Sequence, residues 1–178
     1  MKYYLYPDEH VTSTYRIDFE KLYKEGYRGV IFDIDNTLVP HGAPADERAI
    51  AFFAHLKELG FSSVLLSNNK EPRVKMFNEK ICVDYIFKAA KPKPGNYRKA
   101  MEIMGTDCRN TVFVGDQIFT DVMGANIAGI RTFLVEPINP KEEIQIVLKR
   151  YIEKIVLFFY RHRNKKKTDK YASCVKSE

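Results

Sequence analysis

The chain has 178 residues, 45% of them apolar and 29% charged, enough to bury one domain's core and unlike a disordered or fibrous chain. No uninterrupted apolar run is longer than Ile155–Tyr160, far short of the roughly 20 residues of a membrane-crossing helix. The net charge is +6, but residues 161–178 hold seven basic and two acidic side chains, so the globule is nearly neutral and carries a basic tail.

The first 27 residues are rich in aromatics (Tyr3, Tyr4, Tyr6, Tyr15, Phe19, Tyr23), lack the apolar stretch of a secretory signal, and are expected to pack on the domain that follows. From there two kinds of segment alternate. Arg28–Asp33, Ser62–Ser67, Tyr85–Lys88, Thr111–Asp116 and Arg131–Val135 are short apolar or β-branched runs, read as strands. Asp46–Leu59, Glu71–Lys80, Asn96–Met104 and Thr120–Ile127 place apolar residues at helical spacing, as in Ile50, Phe53 and Leu56. Runs that are continuous rather than alternating fit strands covered on both faces. The order predicts an α/β fold: a three-layer, doubly wound parallel sheet over residues 1–140. Ile144, Val147, Leu148, Tyr151, Ile152, Ile155 and Phe159 then fall on one stripe, which predicts an amphipathic helix over 141–163 and a basic, disordered tail over 164–178. Cys82, Cys108 and Cys174 are scattered and form no C-x-x-C pair, so neither a disulfide framework nor a zinc site has support, and a reducing compartment fits better.

Ligands of such sheets bind at the carboxyl ends of the strands. There the sequence puts Asp33-Ile34-Asp35-Asn36-Thr37-Leu38, Ser67-Asn68-Asn69, Lys91-Pro92-Lys93-Pro94-Gly95, and Gly115-Asp116-Gln117 followed by Asp121. The set suits phosphoryl transfer. One carboxylate of the Asp33/Asp35 pair can attack phosphorus and the other can shuttle the proton of the leaving oxygen. Carboxylates that face a phosphate dianion need a divalent cation between them, and Mg²⁺ prefers a few carboxylates, water and phosphate oxygens. Asp116 adds a carboxylate from another strand, a lysine balances phosphate charge, and Ser67 can bind an equatorial oxygen. Singly each piece also reads as an ordinary turn or cap; their joint occurrence after successive strands carries the argument. The start of an EF-hand loop is a poorer match, because the sixth-position glycine is Leu38. Neither GxxxxGK[ST] nor GxGxxG occurs.

These residues resemble the haloacid dehalogenase (HAD) superfamily, with its DxDxT[LV] motif at Asp33–Leu38, its Ser/Thr at Ser67, its lysine at Lys91 or Lys93, and its GDxxxxD at Gly115–Asp121. The opening LYPDEHVTSTYRID, the block GDQIFTDVMGANIAGIRT and the basic aromatic C-terminus further resemble the YqeG-type phosphatases of subfamily IIIA, relatives of phosphatidylglycerophosphate phosphatases. The resemblance implies a HAD-like, Rossmann-type fold. It implies Asp33 as nucleophile and Asp35 as general acid/base. It also implies Thr37, Ser67, Asn68 and Lys91 at the substrate phosphate, and Mg²⁺ held by Asp33, the Asp35 carbonyl and Asp116 with Asp121 at the edge.

The intervals Val39–Leu66 and Asn68–Ala90 leave no room for a cap domain, so the site is expected to be open to a phosphate on a large carrier. The leading expectation is dephosphorylation of phosphatidylglycerophosphate. Residues 144–170 would contact an anionic membrane, which places the protein in the cytoplasm at the inner face. The alternatives are a soluble or nucleic-acid-linked phosphomonoester, or an inactive scaffold that binds RNA or a ribosomal partner through the tail.

Overall fold

In the computed structural model, residues 4–139, 154–158 and 160 are described. The chain divides into two units, Met1–Pro140 and Lys141–Glu178. In the second, residues 154–158 and 160 are helical, with Ile155 and Phe158 exposed. The rest of the expected amphipathic helix and the tail after it lie outside the described residues. Among the described residues no helix is long and apolar enough to cross a membrane.

The first unit is a six-stranded, wholly parallel sheet in the order β1-β6-β5-β2-β3-β4, from Glu9–Val11 (β1), Gly29–Phe32 (β2), Ser62–Leu66 (β3), Asp84–Ile86 (β4), Thr111–Gly115 (β5) and Arg131–Val135 (β6). Helices Phe19–Lys24 (α1), Glu47–Leu59 (α2) and Glu71–Asn78 (α3) cover one face through Phe19, Leu22, Phe53, Leu56, Val74 and Phe77. Helices Gly95–Met104 (α4) and Met123–Ala128 (α5) cover the other through Tyr97, Ala100, Met101 and Ala125. All four residues of β2 and all five of β5 are buried, which explains their uninterrupted apolar sequence. Edge-to-face pairs of Phe32 with Phe52 and Phe53, and of Phe19 with Phe61, give the first face a specific packing pattern as well as buried area.

Local signals set the boundaries. Asp46 caps α2 by accepting the Ala49 N–H at 2.7 Å, and Gly60 ends the helix at φ 93°, a conformation that favours glycine. Only α2 lies between β2 and β3 and only α3 between β3 and β4, so neither interval holds a cap domain.

The lead-in does more than pack on the domain. Its Glu9–Val11 forms an edge strand along β6, and Thr14–Arg16 makes a single 3₁₀ turn before α1. A three-residue, half-buried strand with two polar members has no detectable alternation, so nothing in the local sequence announces it. The helix expected at Thr120–Ile127 opens as a π-turn over Ile118–Val122 and continues as α5. Such wider turns re-aim side chains and recur at functional sites. Here the turn brings an Asp121 carboxylate oxygen (Oδ2) back to accept the Gln117 N–H at 3.0 Å.

Candidate active site

The chain leaves β2 toward β3 on one side, while β5 leads to β6 on the other. The crevice where strand order reverses therefore lies between the carboxyl ends of β2 and β5. Asp33 follows β2 and Asp116 follows β5, so these two carboxylates flank it.

Residues 33–39 form a compact loop. The Leu38 N–H donates to the Ile34 carbonyl at 2.9 Å, the Asn36 N–H to the Val39 carbonyl at 2.8 Å, and Asn36 sits at φ 63°. The lead-in buttresses this loop: the Thr14 hydroxyl donates to the Thr37 carbonyl and the Tyr15 hydroxyl to the Leu38 carbonyl, both at 2.8 Å. Burial pushes the Tyr15 phenol up to about 12, so it remains a donor. From the other end of the unit, the Ile138 N–H donates to the Asn36 carbonyl at 3.0 Å.

Asp33, Asp116 and Asp121 are buried and offer one ligand atom each, all within 4.8 Å of one another. Buried beside them, Lys91 donates through Nζ to Asp33 Oδ1 at 2.5 Å and to Asp121 Oδ1 at 2.7 Å. The Thr37 hydroxyl lies 3.4 Å from Asp33 Oδ2 and 3.3 Å from Asp116 Oδ1. The cluster thus sets one ammonium, bonded to Asp33 and Asp121, among three carboxylates. Burial pushes the Asp33 carboxyl up to about 6 despite the pull of Lys91, and Asp121 pushes in the same direction as burial. Burial opposes the Lys91 charge, but Asp121 and Asp33 override it and raise its pKa, so it stays an ammonium. Gly115 is required by closeness: a Cβ there would stand 2.5 Å from Asp121 Oδ2 and 2.6 Å from its Cγ.

Of the other expected residues, Ser67 is buried at the end of β3, and its Oγ accepts the Asn69 N–H at 3.2 Å. The Asn68 side chain holds the Lys91 backbone, accepting its N–H at 2.8 Å and donating to its carbonyl at 3.3 Å, and so fixes the residue that carries the ammonium. Lys93 is exposed, whereas Lys91 is buried in the cluster. The Asp35 carboxylate stands apart from the cluster. Its Oδ1 accepts from the Gly42 N–H (2.7 Å) and from Arg73 Nε and Nη2 (3.2 and 2.9 Å), and its Oδ2 from Asn69 Nδ2 (2.7 Å). The sequence places Asn69 on the rim without giving it a role, and it does not single out Arg73, Thr14 or Tyr15. Each is an ordinary residue type that becomes significant only through a contact over 23 or more positions.

A buried acidic cluster and lysine at the switch point of an all-parallel sheet define a phosphoryl-transfer class of site. Comparison with known proteins carries this further. A HAD-hydrolase-like family model matches residues 88–137. The chain is 37% identical over 158 residues to the probable phosphatase YqeG of Bacillus subtilis, which covers 88% of this chain and 92% of that protein. It is 29% identical over 171 residues to phosphatidylglycerophosphate phosphatase 1, chloroplastic/mitochondrial, of Arabidopsis thaliana, across 85% of this chain but only 49% of that longer protein. A HAD-superfamily hydrolase from Ehrlichia chaffeensis shares the fold, with a TM-score of 0.51 and 15% identity over 72% of this chain and 97% of its own. The chain belongs to the HAD superfamily, in the phosphatase family that includes YqeG.

Proposed function

We propose that this phosphatase is a Mg²⁺-dependent phosphomonoesterase that works through an aspartyl-phosphate on Asp33 and acts on phosphatidylglycerophosphate at an anionic membrane surface. The observation that carries the chemistry is the buried cluster of Asp33, Asp116 and Asp121, in which the Lys91 ammonium bonds Asp33 and Asp121. An oxygen-only donor set with excess negative charge suits a hard divalent cation. Asp33 and Asp116 would hold Mg²⁺ with the Asp35 carbonyl, and Asp121 would stand at the edge. When bound, the cation neutralises charge between these carboxylates and the phosphate and polarises the phosphoryl oxygens.

The residues of the chain perform the rest. A carboxylate oxygen of Asp33 attacks phosphorus, the P–O bond to the alcohol breaks, and Asp35 gives its proton to the departing oxygen. Asp35 then takes a proton from the water that attacks the phosphoaspartate. The bond from phosphorus to Asp33 breaks, inorganic phosphate leaves and the Asp33 carboxylate is restored. Lys91, Thr37 and Ser67 bind the non-transferred phosphate oxygens.

Three features support the lipid: the name of the Arabidopsis relative, the absence of a cap between β2 and β4, and the basic excess of residues 161–178. The test is phosphate release by the purified full chain with Mg²⁺ from phosphatidylglycerophosphate in mixed micelles, compared with a soluble alkyl phosphate. The lipid is expected to be the better substrate, and deletion of 161–178 to slow only the membrane-presented form. No release from the lipid alongside good turnover of the soluble ester would refute the substrate.

A further inference from the structure

Asp35 must present one carboxylate oxygen to the leaving group, yet it sits at the rim of a loop, two residues beyond the nucleophile. Besides the Gly42 N–H, which donates to Oδ1 at 2.7 Å, the side chains that fix its direction come from the start of α3. Arg73, in the first turns of that helix, aims Nε and Nη2 at the same oxygen of Asp35, at 3.2 and 2.9 Å. Asn69, just before the helix, takes the other oxygen at 2.7 Å. The Arg73 and Asp35 side chains are only 13% and 10% exposed, and the guanidinium lies 6.0 Å from the Phe77 ring centroid.

As a stabilising device this arrangement is poor. A buried ion pair roughly breaks even against the hydration it gives up, and here one guanidinium nitrogen, Nη1, is buried with no hydrogen-bond partner among the described residues. Among the described residues, the hydrogen bonds Arg73 makes from its side chain all go to Asp35. The geometry fits a group whose task is to hold that carboxylate. We propose that Arg73 is a positioning residue for Asp35: with Asn69 it holds the carboxylate in one orientation, and in doing so sets the efficiency of proton transfer to the leaving alcohol. This rests on the phosphomonoesterase reading above.

Leaving-group chemistry separates this role from a structural one. Nitrophenolate departs without a proton, whereas an alkoxide does not. For an enzyme that forms a phosphoaspartate, kcat/KM reports only the steps up to release of the alcohol. In Arg73→Ala, kcat/KM for glycerol 2-phosphate is expected to fall about 10- to 100-fold, within the range that general acid catalysis supplies. For p-nitrophenyl phosphate it is expected to change less than about threefold, since that step needs no acid. Arg73→Lys keeps one donor and recovers part of the alkyl rate. Asn69→Ala, which removes the contact to the other oxygen, shows the same selective loss and carries the test should Arg73→Ala fail to fold. Circular dichroism melts of each variant establish the folded fraction.

Equal losses on both esters, or alkyl turnover at or above the wild-type rate, would overturn the proposal. A wild-type protein inactive on both esters would instead overturn the phosphomonoesterase reading, and with it any part for Arg73 in turnover.

Discussion

Replacing Asp33 with asparagine removes both the proposed nucleophile and a charge that burial disfavours. A carboxyl pushed from 3.8 to about 6 is harder to ionise in the folded chain than in the unfolded one by about 3 kcal/mol. Asparagine escapes that penalty but turns the charge-assisted bond from Lys91 into an ordinary one, which gives back about 1 kcal/mol. The net expectation at pH 7.5, without divalent cations, is a variant more stable by about 2 kcal/mol, or about 4–8 °C in Tm for a chain of this size. The pH dependence has a definite sign. Because the folded pKa is raised, the favourable contribution of protonated Asp33 is complete below about pH 4 and lost as pH rises through about 6. Wild type and variant should therefore melt together near pH 4 and separate by pH 7.5. Excess Mg²⁺ should reverse the order, because it stabilises the wild type far more than the variant. Phosphate release by the variant should be abolished in every condition. Thermal melts in EDTA and in Mg²⁺ across this pH range provide the assay. A variant that melts below wild type in EDTA at pH 7.5, or a gap that ignores pH, would refute the account of the cluster.

Two further substitutions test the same cluster from other sides. Lys91→Met strands Asp33 and Asp121 without their shared ammonium and should cost about 3–5 kcal/mol at pH 7.5 by urea unfolding, with part of the loss recovered at acid pH. Gly115→Ala drives a Cβ into the Asp121 carboxylate and should weaken Mg²⁺ binding at least about tenfold by calorimetry, as displacement of supporting groups at metal sites does, while the far-ultraviolet spectrum is preserved.

The sheet and the cluster were legible for a single reason: parallel strands buried on both faces read as apolar runs, and whatever follows each run lies on one rim. Asp33, Ser67, Lys91 and Asp116 could thus be placed together although no two of their segments are neighbours in sequence. Local pattern could not choose between Lys91 and Lys93, because they flank one proline. The choice is tertiary: one lysine is buried beside Asp33 and the other is exposed. Arg73 was hidden for a similar reason, since an arginine in the first turns of a helix ordinarily faces water. The edge strand Glu9–Val11 was hidden because its regularity comes from β6 and not from its own three residues.

That edge strand also bears on how the protein is made. Its partner is some 120 residues downstream: Glu9 lies opposite Phe133, the Asp8 carboxylate accepts the Thr132 N–H, and the Tyr4 and Tyr6 carbonyls accept from Asn126. Pairings of such sequence separation form late. On the ribosome residues 4–11 must wait for nearly the last of the domain, and the lead-in also supplies Thr14 and Tyr15, which hold the loop that bears Asp33. A nascent chain halted before β6 would carry Asp33, Ser67, Lys91 and Asp116 and still lack the edge that steadies its lead-in. Phosphatase activity should thus arise only on completed domains.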